Sequence, residues 1–392
     1  MDIEKLKQKV AKEVDKQGRA LGELSRRLHD NPEVAFEERK AAGWLTEYLA
    51  ASGFDVEREI CGMPTAFRAT YGKGRPVIAV LAEYDALPRL GHACGHNLIA
   101  TCSVGVAVAA RPVIDNCGGS VVLIGTPAEE LYGGKVIMAE RGAFGDIDAA
   151  MIVHPGGGNI VAMKTLACQT LDVEFFGKAA HAAARPEEGV NALEAMLLAY
   201  NAVNSLRQHV RDDARLHGII TDGGEAANIV PSHTAGNFIV RAADDKYLDG
   251  LKERVVACFT GAAEATGAKL EYQWGGRYAA MLNNMTLARL FRDNMRSLGH
   301  SMRLRDPDAW GGSSDVGNVS RLAPCIQPFV GIAPEEVLVH SPGFEKAAGS
   351  KAGLKRMLDA ARAMAMTIAD LLAGPPALEK AREEFRRGGP GV

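Results

Sequence analysis

At 392 residues the chain is long enough for two domains, or for one domain with a large insertion, around a sizeable core. Hydrophobic residues make up 47% and charged residues 24%, the balance of a globular chain. A formal net charge of −3 leaves no basic footprint for nucleic acid, and continuous apolar runs such as SVVLIG and AAMIV are too short to span a bilayer.

In chain order, the charged N-terminus MDIEKLKQKVAKEVDKQ has helical periodicity and no apolar h-region, so no signal peptide is expected. A first helix is expected over about 3–28 and a second over about 36–51, the latter closed by Ser52-Gly53. AFRATYG reads as a strand, and PVIAVLAEYD as a buried parallel strand ending in acids. Residues 97–110 read as a buried helix, SVVLIGTP as a buried strand, GGKVIMAERG as a helix and DAAMIVHP as a third buried strand. This alternation implies an α/β layer architecture with a mostly parallel sheet.

From about 167 to 276 the pattern changes to strand, helix, strand, strand, helix, strand, the order of a ferredoxin-like α+β unit. The expected organisation is therefore one domain over 1–166 and 277–392 with an insertion over 167–276. Helices follow over about 287–298 and 351–372, and the terminal PPALEKAREEFRRGGPGV is expected to be a loose charged tail. Seven scattered cysteines without framework spacing point to a reducing, cytoplasmic setting. Cys61, Cys102, Cys117, Cys168, Cys258 and Cys325 read as small buried hydrophobes.

The chemistry-bearing residues gather at strand ends: EYDALP after the first buried strand, PAEE after the second and HP after the third. In open α/β sheets the loops at the carboxyl ends converge on one crevice. Candidate metal ligands are Cys94 and His96 in GHACGHN, then Glu129-Glu130, His154 and His340. A thiolate, imidazoles and a carboxylate form a borderline-soft set suited to Zn²⁺, and also to Mn²⁺, Co²⁺ or Ni²⁺. Of two adjacent carboxylates, one can bind a cation while its neighbour remains a base.

EYDALP, GHACGHN, GTPAEE, HP, AHAAARPEEGVNAL, NIVP, GGSSDVGNVS and HSPGF occur in that order. Together they resemble the M20 family of metallopeptidases and amidohydrolases. The likeness is greatest to its branch with Cys in the metal loop, which includes aminoacylase-1-like 2 proteins, aminobenzoyl-glutamate hydrolases and hippurate hydrolases. It covers nearly the whole chain. The resemblance implies a zinc-peptidase-like catalytic domain, an inserted lid and dimerisation domain, and a homodimer formed through that lid. It implies two divalent ions per subunit, Zn²⁺ or Mn²⁺, with Cys94 bridging and His96, Glu130, His154 and His340 completing the ligands.

Glu129 matches the general base and Asp85 a carboxylate that orients the site. His181 matches an oxyanion donor reaching the partner subunit's active site, Asn228 a lid residue at the substrate's polar end, and Arg277 a position that binds a substrate carboxylate. Where the wider family has His-x-Asp, this chain has Glu83-Tyr84-Asp85, and His96 takes over the missing ligand role. His92 has no ligand role in that branch and reads as a loop histidine; Asp315 lies near the site without an assigned role.

The expected activity is hydrolysis of an amide bond in an N-acyl amino acid or small dipeptide, by a metal-activated water with Glu129 as base. Two alternatives stay open at this point. One is a non-catalytic binding protein on the same fold, which loss of Glu129 or of two ligands would have favoured. The other is a cysteine hydrolase using Cys94 with His92 or His96, which leaves Glu130, His154 and His340 without a purpose.

Overall fold

The computed structural model describes residues 2–305 and 312–388. Gly311, which opens the GGSSDVGNVS run, and the last four residues of the expected tail lie outside them. The chain divides into two compact units. One comprises Met1–Lys164, Met281–Gly311 and Asp315–Val392; the other comprises Thr165–Ala280 with Gly312–Ser314.

The first unit begins with α1 (Ile3–His29), α2 (Arg39–Ala51), β1 (Asp55–Arg58), β2 (Phe67–Lys73) and β3 (Val77–Ala82). It continues with α3 (His96–Cys117), β4 (Gly119–Gly125), α4 (Gly134–Glu140), β5 (Ala149–Met151) and β6 (His154–Gly156). The second unit holds β7 (Ala167–Phe176), α5 (Ala192–Leu206), β8 (Arg215–Asp222), β9 (His233–Ala242), α6 (Asp245–Thr266) and β10 (Lys269–Tyr278). The chain then returns to the first unit through α7 (Met285–Ser297), α8 (Val316–Val319), β11 (Cys325–Ile326), β12 (Phe329–Gly331), α9 (Pro342–Ala348), α10 (Lys351–Ala373) and α11 (Pro375–Gly388).

The main sheet has the order β1-β2-β4-β3-β5-β11. Its β4-β3-β5-β11 part is parallel, and β2 and β1 add an antiparallel edge. β3 and β4 are buried over their whole length, so their runs are apolar rather than alternating. Both faces are covered. Ile78, Val80 and Ala82 of β3 join a core with α1, α3, α7 and α10, while Val77, Ala79 and Leu81 join one with Met138 of α4 and Val316 and Val319 of α8.

The second unit is an antiparallel sheet, order β10-β7-β9-β8, with α5 and α6 on one face. Its strand order and its alternating burial are those of the expected ferredoxin-like unit.

Three expectations need correction. First, the buried helix runs to Cys117 rather than stopping near 110, passing through Pro112. The carbonyl of Val108, which Pro112 cannot serve, accepts instead from Arg111 Nε at 3.1 Å. Among the described residues α3 is the one helix long and apolar enough to cross a membrane, but 89% of its apolar window is buried inside the protein. It is a core helix against α1 and α10.

Second, the expected loose tail is α11. Leu378 and Ala381 are buried in the core, and Arg382 reaches Asp148 at 2.6 Å. Glu384 accepts from the Met285 and Thr286 backbone N–H groups at 2.6 and 2.9 Å, closing the N-terminus of α7 beside its cap Asn284. Third, of the six cysteines expected to be buried, Cys61, Cys117 and Cys258 are half-buried; none of the seven is in a disulfide.

Glu38 is buried at the start of α2. One oxygen accepts the Ala128 N–H at 2.9 Å and the other the Thr65 hydroxyl at 2.8 Å. It thereby holds the turn after β4, where Ala128 has φ 60°.

Burial, reinforced by the Asp85 charge, raises the Glu38 pKa from 4.5 to about 7. Since the folded-state value is above the unfolded one, its stabilisation is complete below pH 4.5 and is lost as pH rises through about 7. In chelator-treated protein, wild type is expected to lose about 2.5 kcal/mol of stability between pH 5 and 8 relative to Glu38→Gln. Parallel urea-melt profiles for the two proteins would refute this. Glu384→Ala is expected to cost about 1 kcal/mol, the scale of a lost helix cap; an unchanged urea midpoint would show that α11 does not hold α7.

Candidate metal centre

The acidic and metal-binding letters emerge where buried strands end. β3 delivers Glu83 and Asp85, β4 delivers Glu129 and Glu130, and the chain beyond β5 delivers His154. His96 is the first residue of α3, and His340 lies just before α9. Within GHACGHN, Gly95 has φ 79°, and a Cβ there would lie 2.5 Å from Pro155 Cγ. Only glycine lets this loop lie against the His154-Pro155 strand. Asn97 pins the other end, donating to Ser25 Oγ at 3.2 Å and to the Ala348 carbonyl at 3.1 Å.

Four groups of three side chains each bring one possible ligand atom within 4.8 Å of the others: Cys94–His96–His154, Cys94–Glu130–His340, His96–Glu129–Glu130 and Glu83–Glu129–Asp315. Cys94 belongs to two of them. Its Sγ is 3.5 Å from His154 Nε2, and Glu130 Oε2 is 3.3 Å from His340 Nε2.

The histidines are oriented from behind. His96 Nδ1 is 3.0 Å from Asp85 Oδ1 and 2.9 Å from the Asp85 carbonyl, so Nδ1–H donates and Nε2 faces the cluster. His154 Nδ1 is bound in the same way to the Pro155 carbonyl at 2.7 Å. Asp85 Oδ2 accepts the Glu130 backbone N–H at 3.0 Å. His340, at φ 61°, donates its N–H to the Ala93 carbonyl at 2.9 Å, which joins its loop to GHACGHN. Two buried atoms that face one another, His96 Nε2 and Glu130 Oε1, have no hydrogen-bond partner; they lie 3.9 Å apart.

Glu129 sits deeper than its neighbour. Burial, with the charges of Glu83, Asp315 and Glu130 around it, holds its carboxyl well above the usual range. Burial likewise pushes the Cys94 thiol up. Beside Glu129 lies a fully buried ion triad that sequence reasoning missed. Lys135 Nζ is 2.6 Å from Glu83 Oε1 and 2.7 Å from Asp315 Oδ1, and the Lys135 N–H donates to Asp315 Oδ2 at 2.9 Å. Burial disfavours the ammonium, but Asp315 and Glu83 outweigh it and hold the Lys135 pKa above the ordinary lysine value. The available signal was a lysine between Gly134 and the apolar VIM of a short helix.

His92 is outside all four groups. It is buried near His29, with ring centroids 6.4 Å apart, and burial lowers its pKa to about 3, so it is neutral. His181 and Asn228 come together within the second unit. His181 pairs with Ile229 in an isolated bridge, and the Ala182 N–H donates to the Asn228 carbonyl at 3.1 Å; both residues are exposed. Arg277 is engaged by its own unit: its guanidinium donates to Asp249 at 2.6 Å and to Asp245 at 3.3 Å.

Residues 168–266 match the family model described as the peptidase dimerisation domain. A mouse protein named Xaa-Arg dipeptidase is 38% identical, the alignment covering 98% of this chain and 93% of the relative. A p-aminobenzoyl-glutamate hydrolase polypeptide of Escherichia coli K12 is 35% identical over 68% of this chain and 60% of its own length. Among solved structures, the Bacillus subtilis YXEP protein, described as a dinuclear metal binding peptidase from the M20 family, superposes with a TM-score of 0.69 at 20% identity, covering 92% of this chain and 99% of that one. With a relative of this identity along almost its entire length, and with the order of motifs and the fold in agreement, the chain belongs to the M20 family of peptidases and amidohydrolases.

Proposed function

We propose that the cluster around Cys94 is a two-metal centre that hydrolyses the amide bond of a dipeptide or an N-acyl amino acid. The observation that carries this reading is the sharing of Cys94 between two ligand groups, one with His96 and His154, the other with Glu130 and His340. The donors fit divalent ions. They comprise a thiol, three imidazoles and a carboxylate, and the buried, partnerless His96 Nε2 and Glu130 Oε1 are atoms a cation would satisfy. Zn²⁺ and Mn²⁺ both suit this set. When bound, such ions supply Lewis acidity, polarising a carbonyl and lowering the pKa of water.

The chain's own side chains supply the rest. Asp85 and the Pro155 carbonyl hold the His96 and His154 rings with Nε2 inward. Glu129 is the proton carrier. Its buried carboxyl, among other acids, has a high proton affinity, so it can take a proton from the attacking water and return it to the leaving amine. The cysteine-hydrolase alternative loses ground here. Burial pushes the Cys94 thiol up rather than down, and although His96 donates its Nδ1–H to Asp85 as a triad histidine would, a thiol nucleophile leaves Glu130, His154 and His340, gathered around Cys94, without a purpose.

The mouse relative's name points to a dipeptide with C-terminal arginine and the E. coli relative's to an acylated glutamate. Both are amides whose amine half is an amino acid, and this is the substrate class we assign. His181 and Asn228, adjacent and exposed in the second unit, are assigned to the substrate or oxyanion side, and that unit to homodimer formation. Seven unbridged thiols support a cytoplasmic setting.

Dialysis against a chelator is expected to abolish cleavage of a panel of dipeptides and N-acyl amino acids, with recovery on adding Zn²⁺ or Mn²⁺. Activity that survives complete metal removal would refute the reading. Glu129→Gln is expected to keep its metal content while kcat falls by about 10²–10⁴-fold; a fully active variant removes Glu129 from its role. Cys94→Ser is expected to lose metal, and retention of two ions with full activity would contradict the bridge.

A further inference from the structure

Glu83, Glu129 and Asp315 bring three carboxylate oxygens within 4.8 Å of one another, an arrangement that by itself would suit a cation. A cation is already there. The Lys135 ammonium lies 2.6 Å from Glu83 and 2.7 Å from Asp315, and all three side chains are wholly inaccessible to solvent. Such a triad is a poor device for stability, because burying charges costs more than apolar packing of the same volume. Its placement suggests another purpose. Glu83 Oε2 is 3.6 Å from His96 Nε2, and Glu129 stands against both Glu83 and Asp315.

We infer that Lys135 is a positioning residue: the built-in cation that holds Glu83 and Asp315 as a rigid carboxylate wall against which Glu129 is aimed. This rests on the reading of Glu129 as proton carrier. Without a positive charge, three buried carboxylates this close repel one another and the wall cannot hold one geometry. The hydrogen bonds that orient the ligand side chains run through other residues, although Glu83, the partner of Lys135, lies 3.6 Å from His96 Nε2. His96 and Glu130 are held by Asp85, His154 by the Pro155 carbonyl, and the His340 loop by Ala93. Loss of Lys135 therefore acts on turnover, with metal content and substrate affinity preserved.

The test uses the full-length protein loaded with metal and compares Lys135→Met/Asp315→Asn, in which the removed charges balance, with Lys135→Arg and Glu129→Gln. For each, kcat and KM are measured separately, metal per subunit is counted, and folding is checked by thermal melting. The double variant is expected to fold, to keep wild-type metal content and KM, and to lose kcat by about 10–100-fold, the scale for removing support behind a metal site. Lys135→Arg, which keeps the cation, is expected to recover part of that loss.

Wild-type kcat in the folded, metal-loaded double variant overturns the inference. So does a kcat loss matched by lost metal, which would make Lys135 a support for the ligands. If the double variant does not fold, Lys135→Gln, which keeps a hydrogen-bond donor but not the charge, decides: reduced kcat at unchanged KM and metal content supports the inference, and unchanged kcat overturns it. Wild-type turnover in Glu129→Gln defeats the proton-carrier reading itself, and a Lys135 effect beside it would show that Lys135 does not act through Glu129.

Discussion

The Asp85 carboxylate is the joint on which the site depends. One oxygen fixes the His96 ring from behind, the other accepts the Glu130 backbone N–H, and the residue itself sits at the end of β3. Three segments, the farther two 11 and 45 residues from Asp85, are thereby locked at one end of the sheet. Its carboxyl titrates below the ordinary range because, although burial raises it, the His96 charge and hydrogen bond and the Glu130 N–H together lower it more. An anion held so firmly leaves His96 only one orientation, with Nε2 toward Cys94 and Glu130.

The price of this arrangement is a concentration of buried charge where β3 and β4 end. Apart from Ser120 the sheet carries no polar side chain along β3 and β4, and both its faces are covered by helices, so its interior offers these groups no water. Buried charges there are instead matched to partners: Glu38 to the Ala128 N–H and Thr65, Asp85 to His96, Glu83 and Asp315 to Lys135. At the ligand cluster the pattern breaks. His96 Nε2 has Glu83 Oε2 at 3.6 Å and Glu130 Oε1 at 3.9 Å, and none of these three atoms has a hydrogen-bond partner, a deficit that cations held by the ligand cluster would fill. The contrast with the matched charges of Glu38, Asp85 and Asp315 makes these atoms informative.

Much of this was legible in the amino-acid letters. Buried parallel strands announce themselves as unbroken apolar runs, and the acids that follow them mark the crevice end of the sheet, which is how EYDALP, PAEE and HP could be brought together without coordinates. What periodicity could not show was partnership. Lys135 looked like one polar residue in a short helix, and nothing local links it to Glu83 or Asp315, 52 and 180 residues away. The last helix was missed because α11 buries little more than Leu378 and Ala381; most of its other letters are charges, and the tertiary partners of Arg382 and Glu384, Asp148 and the α7 N-terminus, are distant in sequence. Arg277, a position suggested by resemblance, carries a guanidinium whose hydrogen bonds to Asp245 and Asp249 were likewise not legible in periodicity.

The direct measurement of the two-metal centre is anomalous diffraction from crystals of the Zn²⁺- or Mn²⁺-loaded protein, combined with a count of ions per subunit. Two peaks are expected, both within bonding distance of Cys94 Sγ, one shared with His96 and His154 and the other with Glu130 and His340. A single peak, or two peaks of which neither touches Cys94, would contradict the shared-thiolate centre.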